Sequence, residues 1–244
     1  MFEILKSNGF LKTEEKQEKL KLFLNILKEW NEKFNLTSIK DDKEIEIKHF
    51  EDSLKGAFLF PENANAIEIG SGGGFPSIPV MIEREDLKFT LVESVGKKCE
   101  FLKYAIEKLS LNALVLNKRA EDLGKDKNVR ESFDVVTARA VANMQTLSEY
   151  TLPLIKKGGV FIAYKSVNNE MELAKNAVKI LGGKLAQEYK YDLSNDLGER
   201  VIYVIKKVEN TPDKYPRGNG KERSKPLWQI LIYQQLVVLP DIEF

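Results

Sequence analysis

Residues 66–76, AIEIGSGGGFP, constrain the possible folds of this chain more than any other stretch. A short apolar run, interrupted only by Glu68, leads directly into glycines at positions 70, 72, 73 and 74. An apolar run that stops at a glycine cluster predicts a buried strand entering a tight loop. Because glycine accepts positive φ values and lets a ligand approach the main chain, the pattern predicts a nucleotide-type binding loop.

The spacing of the glycines separates this loop from two common nucleotide-binding loops. In the dinucleotide fingerprint G-x-G-x-x-G, a glycine and a helix start stand where this chain has Phe75 and Pro76. The sequence G-x-x-x-x-G-K-[ST] of a phosphate-gripping loop does not occur. The next predicted strand ends in Glu93, where an acid grips a ribose hydroxyl in such folds. These features fit the S-adenosylmethionine site of Rossmann-like methyltransferases, with a nicotinamide-dependent oxidoreductase as the alternative.

Composition narrows the class of protein further. With 31% charged and 43% hydrophobic residues over 244 positions, the chain is typical of a globular protein of one large or two small domains. The single cysteine, Cys99, and the single histidine, His49, argue against disulfides and against cysteine- or histidine-rich metal sites, so we expect no metal. No apolar run approaches the roughly 20 residues of a membrane span. The first residues do not form a signal peptide, so we expect a cytoplasmic protein without a membrane partner.

Strand and helix patterns alternate along most of the chain. This alternation predicts an α/β fold, with a mostly parallel seven-stranded sheet and helices on both faces. Before the glycine loop, residues 13–31 and 44–60 have the periodicity of amphipathic helices, the first with Thr13 as its N-cap. We predict strands at 66–69, 88–93, 114–116, 133–138, 160–164, 184–191 and 200–205, further helices at 77–84, 97–110, 144–155 and 170–181, and a loop at 117–122.

These elements predict three parts of the chain. An N-terminal helical extension occupies residues 1–60, a Rossmann-like core occupies 61–208, and a basic loop with a C-terminal tail occupies 209–244. A sheet of this kind binds its ligand outside the carboxyl ends of its strands. The predicted strand ends are Gly70, Glu93, residues 117–121, Arg139 and Lys165.

His49, Asp52 and Ser53 lie close together in one predicted helix and invite comparison with a hydrolase triad. The three side chains of a triad must meet in space, and neighbours on one helix do not build that arrangement. His49 and Ser53 are four residues apart, so they share a helical face and are placed to line a pocket. A capped and hydrogen-bonded helix explains them equally well.

A basic run between positions 206 and 225 stands out against the net charge of +1. The run also contains prolines and glycines and few acids. It fits either a solvated loop or an arm that contacts phosphates and positions RNA without reading its sequence. Its cations are Lys206, Lys207, Lys214, Arg217, Lys221, Arg223 and Lys225.

Two sequence features are absent, and their absence limits the kinds of atom that a methyltransferase of this fold would methylate. Enzymes of this fold that methylate an exocyclic amine carry an [ND]-P-P-[YFW] turn after the fourth strand, where this chain has ARAV at 138–141. Methylation of a pyrimidine carbon needs a cysteine nucleophile, and Cys99 lies on the wrong element. The remaining possibility is a target atom that is already nucleophilic, such as N7 of guanine. Methylation of such an atom needs no general base. Arg139 and Lys165 are candidates to contact the guanine or its phosphate, and Arg139 alternatively holds the carboxylate of the cofactor.

Six motifs occur in a characteristic order. They are WN at 30–31 with NLT at 35–37, HFEDSL at 49–54, IGSGGGFP at 69–76, RAED at 119–122, ARAV at 138–141, and YPR at 215–217 with KPL at 225–227. In this order the chain resembles the glucose-inhibited division protein B (GidB) family, the bacterial small-subunit ribosomal RNA methyltransferases G. The resemblance spans residues 20–227.

The resemblance implies a class I enzyme dependent on S-adenosyl-L-methionine. Such an enzyme methylates N7 of one guanine in 16S rRNA, near the decoding centre of the small ribosomal subunit, and produces 7-methylguanosine. Carried over by position, the cofactor contacts Gly70, Phe75, Glu93, Ser94, Ala120, Glu121 and Arg139, and the loop pattern itself adds Gly72. For RNA we expect contacts from Lys165 at its strand end and from Arg217, Lys221, Arg223 and Lys225 of the basic run.

Two alternatives outside this family's activity also stay open besides the oxidoreductase. One is a methyltransferase of another RNA or of a small molecule, and the other is a ribosome-assembly factor that binds RNA and cofactor without turnover. The apolar sequence 228–244, WQILIYQQLVVLPDIEF, extends past the family pattern, and nothing in the sequence assigns it a function.

Overall fold

A seven-stranded sheet forms the centre of the molecule, as predicted. The computed structural model describes residues 2–227. The strand order is β3-β2-β1-β4-β5-β7-β6; strands β1 to β5 run parallel, and β7 is antiparallel to both of its neighbours. The strands are β1 Asn65–Ile69, β2 Lys88–Glu93, β3 Ala113–Asn117, β4 Phe133–Arg139, β5 Ile155–Ser166, β6 Gly183–Asp192 and β7 Glu199–Lys207.

Helices cover both faces of this sheet because its central strands are apolar on both sides. One hydrophobic cluster joins α5 and α6 to the N-terminal helices, and a second lies on the opposite face with α7, α8 and α9. The helices are α1 Glu3–Ser7, α2 Glu14–Lys33, α3 Asp42–Ile45, α4 Asp52–Leu54, α5 Ser77–Glu83, α6 Gly96–Leu109, α7 Ala120–Leu123, α8 Met144–Thr151, α9 Glu170–Ile180 and α10 Lys221–Ser224.

The N-terminal helices are part of the main core. The Thr13 side chain accepts a hydrogen bond from the Lys16 amide at the start of α2, which confirms the predicted N-cap. The apolar stripe of α2 inserts Phe23 beside Phe75 of the glycine loop and Phe101 of α6, at ring-centroid distances of 5.5 and 6.5 Å. Because residues of the extension share a core cluster with the sheet, they are placed to shape its ligand-binding edge. The boundaries at 60 and 208 remain a prediction.

The predicted helix over 44–60 is wrong in detail. The chain passes from α3 into a π-helical segment Glu46–Glu51, then α4, then a 3-10 turn Ala57–Leu59. Buried carboxylates explain the irregular path, because they bind groups from distant elements. Glu46 accepts the Ile4 amide at 3.1 Å, and Glu51 accepts the Ser194 hydroxyl at 2.9 Å. Periodicity along one segment carries no signal for such long-range bonds.

Three shorter predictions also need correction. The predicted loop at 117–122 contains the start of α7. The helix predicted to reach residue 155 ends at Thr151 and continues as a 3-10 turn, Leu152–Leu154, that contains Pro153. The fifth strand, predicted over 160–164, begins at Ile155 as β5 and includes Gly158 and Gly159.

Candidate functional site

Two adjoining cavities open at the carboxyl ends of β1 to β4. The outer cavity, about 620 Å³, lies between the end of β2, the start of α7 and the turn before α10. The glycine-loop cavity, about 430 Å³, lies over residues 70–73. Gly70, Val141 and Arg223 line both cavities. This is the edge at which open parallel sheets bind their ligands.

Every residue predicted to contact a cofactor lines one or both of these cavities. The outer cavity is lined by Gly70, Ser94, Ala120 and Glu121, and the glycine-loop cavity by Gly70, Gly72, Phe75, Glu93 and Arg139. Sequence reasoning therefore found residues that the fold brings together, although they come from four separate segments. Their contacts with a cofactor remain a prediction.

The glycines of the loop serve different purposes. Gly70 has φ +71°, and a Cβ there would lie 2.6 Å from Cγ2 of Val141, so close packing requires glycine. Gly72 has φ +49°, and the nearest atom to a Cβ there would be the Gly70 carbonyl oxygen at 3.8 Å. Because Gly72 meets no crowded neighbour and lines the cavity, its bare backbone leaves room for a ligand.

Glu93 fixes the shape of this edge. The carboxylate is 6% exposed, and its Oε2 accepts the Gly72 amide at 3.0 Å while its Oε1 accepts the Val95 amide at 2.8 Å. One side chain thus ties the glycine loop to the end of β2. A carboxylate that accepts two amides retains lone pairs that can accept further bonds from hydroxyl groups.

Arg139, at the end of β4, is bound to the N-terminal extension. Its Nη1 donates to Oδ2 of Asp52 at 2.7 Å and to the Lys48 carbonyl at 3.0 Å. Its Nη2 lies 3.1 Å from Nδ1 of His49, and the guanidinium stands over the Phe75 ring at 5.1 Å. The sequence analysis missed the partner Asp52, because 87 positions separate the two residues and no local pattern joins them.

His49 is neutral and structural in this arrangement. Burial, and next the Arg139 charge, lower the pKa of His49 to about 3. The ring stacks on Phe75 at a centroid distance of 4.5 Å, and its Nε2 lies 2.8 Å from Oγ1 of Thr37. The Ser53 hydroxyl donates to the His49 carbonyl and not to the ring, so the two residues form no nucleophile–base pair.

Glu68, the acid before the glycines, is fully buried in β1. Its Oε2 bonds the Ser77 hydroxyl at the start of α5, and Oε1 finds no partner among residues 2–227. Burial raises the pKa of Glu68 to about 7, partly opposed by the bond from Ser77. The carboxyl group therefore links the strand to the helix that follows the loop and holds a proton below neutral pH.

We predict that Glu68→Gln flattens the pH dependence of stability. In the unfolded chain Glu68 ionises near its usual value, so the stabilisation from its neutral form is complete below about pH 4.5. It is lost as pH rises toward the folded pKa of about 7. The loss amounts to about 3 kcal/mol. Urea unfolding at pH 5 and pH 8 measures it, and an identical pH difference in wild type and variant contradicts the assignment.

Lys165 lies at the end of β5, and its side chain is only 10% exposed. Its ammonium donates to Oε2 of Glu170 and to the Ala142 carbonyl, both at 2.6 Å. It lines a third cavity, the β4–β5 cavity of about 380 Å³, together with Arg139. The two residues predicted at adjacent strand ends therefore share one cavity, in which Lys165 is already paired.

The basic run folds back onto the sheet edge and is only partly a solvated loop. Arg217 donates from Nη2 to Oε2 of Glu149 at 2.7 Å and from Nε to Oε1 at 2.9 Å, and Glu149 is 1% exposed. The neighbouring turn at 218–220 lines the outer cavity. The sequence analysis missed this contribution to the cavity, because the partners lie 68 positions apart. Lys221, Arg223 and Lys225 remain exposed.

We predict that Arg217→Ala destabilises the protein by about 3–5 kcal/mol, because it leaves the buried Glu149 carboxylate without its partner. The double variant Arg217→Met with Glu149→Leu should recover most of that loss. Thermal unfolding measures both proteins. A single variant as stable as wild type would show that this ion pair does not anchor the segment.

Two kinds of feature are absent from residues 2–227. No group of three or more His, Cys, Asp or Glu side chains within 2–227 is arranged to hold a metal ion. None of the helices in that range is both long enough and apolar enough to span a membrane. The apolar sequence 228–244 lies outside the described residues.

Comparison with solved structures identifies the class of this fold. A methyltransferase from Pyrococcus furiosus superposes with a TM-score of 0.56 at 17% identity, covering 79% of this chain and 98% of that one. TYW2 of M. jannaschii, solved in complex with AdoMet, superposes with a TM-score of 0.53 at 16% identity, covering 70% of this chain and 78% of that one. The fold is that of the class I S-adenosylmethionine-dependent methyltransferases.

Sequence comparison identifies the family. The family model GidB, described as rRNA small subunit methyltransferase G, matches residues 16–193. Ribosomal RNA small subunit methyltransferase G of Lactobacillus acidophilus is 46% identical over 93% of this chain and 97% of its own length. The protein of the same name from Staphylococcus aureus is 44% identical over 92% of this chain and 96% of its own length. The chain belongs to the GidB family, which confirms the predicted resemblance.

Proposed function

We propose that this protein transfers a methyl group from S-adenosylmethionine to N7 of a specific guanine in 16S rRNA, near the decoding centre. It would act on the small ribosomal subunit or its RNA in the cytoplasm. Family membership makes the chain an rRNA methyltransferase that uses S-adenosylmethionine. The observation that carries the site assignment is the meeting of all the predicted cofactor residues around two joined cavities.

The cavities suggest how the cofactor lies. Glu93 is placed to accept hydrogen bonds from the ribose hydroxyls, and Ser94 and Ala120 border the outer cavity where the adenine fits. Gly70 and Gly72 would then hold the methionine part in the glycine-loop cavity. When bound, the cofactor supplies an electrophilic methyl group. The protein holds the acceptor in line with that group and excludes water, which is worth roughly 7–11 kcal/mol.

The side chains around the cavities favour an acceptor that is already nucleophilic. His49 is neutral and hydrogen-bonded on both ring nitrogens, and Cys99 is buried with its thiol donating to the Glu93 carbonyl at 3.3 Å. Burial raises the pKa of the Cys99 thiol, which disfavours a thiolate nucleophile. These contacts support transfer to a ring nitrogen such as guanine N7, since no proton leaves that nitrogen.

The test is transfer of labelled methyl groups to small subunits that lack the modification. Nucleoside analysis of the digested RNA should find the label in 7-methylguanosine. Label in another nucleoside overturns the choice of acceptor but keeps the methyltransferase activity. Absence of label, despite cofactor binding, favours the alternative of an assembly factor without turnover.

For the RNA contacts we propose the exposed cations at the end of the described chain. Lys221 and Lys225 are exposed, and Arg223 is exposed at the shared rim of both cavities. Cations in these positions suit phosphates that approach the cofactor edge. Arg217, predicted for the same role, is instead engaged by Glu149.

We predict that Lys221→Gln with Lys225→Gln weakens RNA binding and reduces the salt slope by about 1.5, because two phosphate contacts disappear. The control is Lys157→Gln with Lys184→Gln, which removes two exposed charges at the opposite end of the sheet. Filter binding at several salt concentrations measures the slope. Equal salt slopes for the two double variants would show that Lys221 and Lys225 do not contact RNA phosphates and would favour the interpretation of the basic run as a solvated loop.

A further inference from the structure

Of the residues predicted to contact the cofactor, the β4–β5 cavity is lined by Arg139 alone. It lies between the π-helical segment Glu46–Glu51, the ends of β4 and β5, and Arg200 of β7. His49, Arg139 and Ala140 line both this cavity and the glycine-loop cavity. A planar base in it would therefore have one edge beside the glycine-loop cavity. Its volume of about 380 Å³ falls in the range of small-molecule sites, about 300–1,000 Å³.

The start of α9 forms one side of the β4–β5 cavity. The carboxylate of Glu170 is held in a fixed orientation there. Oε2 of Glu170 accepts Lys165 at 2.6 Å and the Met144 amide at 3.1 Å, and Oε1 accepts the Asn168 side chain at 3.0 Å. The Glu170 side chain is nevertheless 28% exposed. Since a carboxylate offers about four lone-pair positions and three are occupied, one position on Oε1 is free. The exposed Asn168 side chain, which can bond water instead, would free a second position on the same oxygen.

Cations border the same cavity. Arg200, at the start of β7, has a side chain 24% exposed, and its Nε lies 3.9 Å from Asp52. Lys48 has a side chain 27% exposed and pairs with Glu44 at 3.2 Å. Both residues line the cavity, where they suit the phosphates flanking a nucleotide.

These features match two adjacent edges of guanine. The N7 and O6 acceptors lie on one edge, and the N1–H and 2-amino donors lie on the Watson–Crick edge. A carboxylate accepts both donors of guanine. Adenine offers no such pair, because its N1 is an acceptor and it lacks the 2-amino group. A base whose N7 faces the glycine-loop cavity would keep its adjacent Watson–Crick edge within the β4–β5 cavity, which Glu170 lines.

We propose that the β4–β5 cavity binds the target guanine and that Oε1 of Glu170 selects it by accepting its N1–H and 2-amino hydrogens in place of the Asn168 side chain. This inference rests on the proposed N7 methylation. In this arrangement Lys165 acts as a positioning residue for Glu170, and Arg200 and Lys48 hold the flanking phosphates.

The test compares mononucleotides as inhibitors of subunit methylation. GMP should inhibit the wild-type protein at least about tenfold more strongly than IMP, which lacks the 2-amino group, or AMP. Glu170→Gln should lose this preference and lower kcat/KM for subunits at least about tenfold, with an unchanged Kd for S-adenosylmethionine. The matched control is Glu172→Gln on the same helix, which removes an exposed carboxylate outside the cavity and should behave as wild type.

Equal inhibition of the wild type by GMP and IMP, or no inhibition by GMP, would overturn the inference. A GMP preference that survives Glu170→Gln would overturn it as well. Failure of the proposed function is distinguishable, because it appears in the wild type alone as a product other than 7-methylguanosine.

A second pair of variants does not disturb the Glu170 contacts. Ser166→Trp fills the cavity from an exposed position on β5 and should abolish methylation while cofactor affinity stays unchanged. Val167→Trp adds the same bulk at the next position, which is 40% exposed and does not line the cavity, and should keep wild-type activity. Wild-type activity in Ser166→Trp would exclude this cavity as the guanine site.

Discussion

Gly72→Val should weaken the binding of S-adenosylmethionine at least about 100-fold. The residue has φ +49°, and its missing side chain leaves open the space where the glycine-loop cavity meets the backbone. A branched side chain would occupy that space and block close approach of the ligand to the main chain. The backbone conformation adds a cost of about 1–2 kcal/mol to folding, since valine disfavours positive φ. Isothermal titration with the cofactor measures the affinity.

The control for strain is Gly158→Val. Gly158 has φ +92°, no atom lies within 4 Å of a Cβ built there, and the residue is exposed near the amino-terminal end of β5. This variant should lose stability to a similar degree but bind the cofactor normally. If Gly72→Val binds with wild-type affinity, the glycine loop is not the cofactor loop.

Arg139→Ala should reduce methylation at least about 100-fold. Arg139 lines both the glycine-loop and β4–β5 cavities, and its guanidinium joins Asp52 and His49 to the Phe75 ring. The variant removes a positive charge that lies between the proposed positions of the cofactor and of the acceptor guanine. It also leaves Asp52, 6% exposed on its side chain, without its closest cationic partner, which costs about 3–5 kcal/mol of stability.

A double variant separates the two effects. Asp52→Asn with Arg139→Met removes both charges, so it should recover much of the stability lost in Arg139→Ala but none of the activity. Thermal unfolding and methyl transfer on the same samples measure both quantities. Activity that recovers together with stability would show that Arg139 acts only in folding.

The sequence predicted the centre of this fold because the signals there are local. Strand β2 is an apolar run that ends in Glu93, and its predicted bounds match the structure. The glycine cluster marks the loop directly in the sequence. The alternation of strands and helices then predicts the sheet edge at which the loop lies. Residues at strand ends that line the cavities could therefore be named before any contact was known.

The rest depends on contacts between distant segments. The Glu93 carboxylate binds the Gly72 amide across 21 positions, and Arg139 reaches Asp52 across 87. Arg217 lies in a run whose composition is typical of a solvated loop, yet its guanidinium pairs with the buried Glu149 carboxylate. A charged residue looks the same in sequence whether it meets water or a buried partner, so periodicity and composition did not separate Arg217 from Lys221.

A crystal structure of the protein with S-adenosylhomocysteine tests the central claim most directly. We expect the ribose hydroxyls within hydrogen-bond distance of Glu93, the adenine in the outer cavity beside Ser94 and Ala120, and the homocysteine part over Gly70 and Gly72. The sulfur should point toward Arg139 and the β4–β5 cavity. Density for the ligand at any other place, or a ribose that does not contact Glu93, would contradict the assignment of the site.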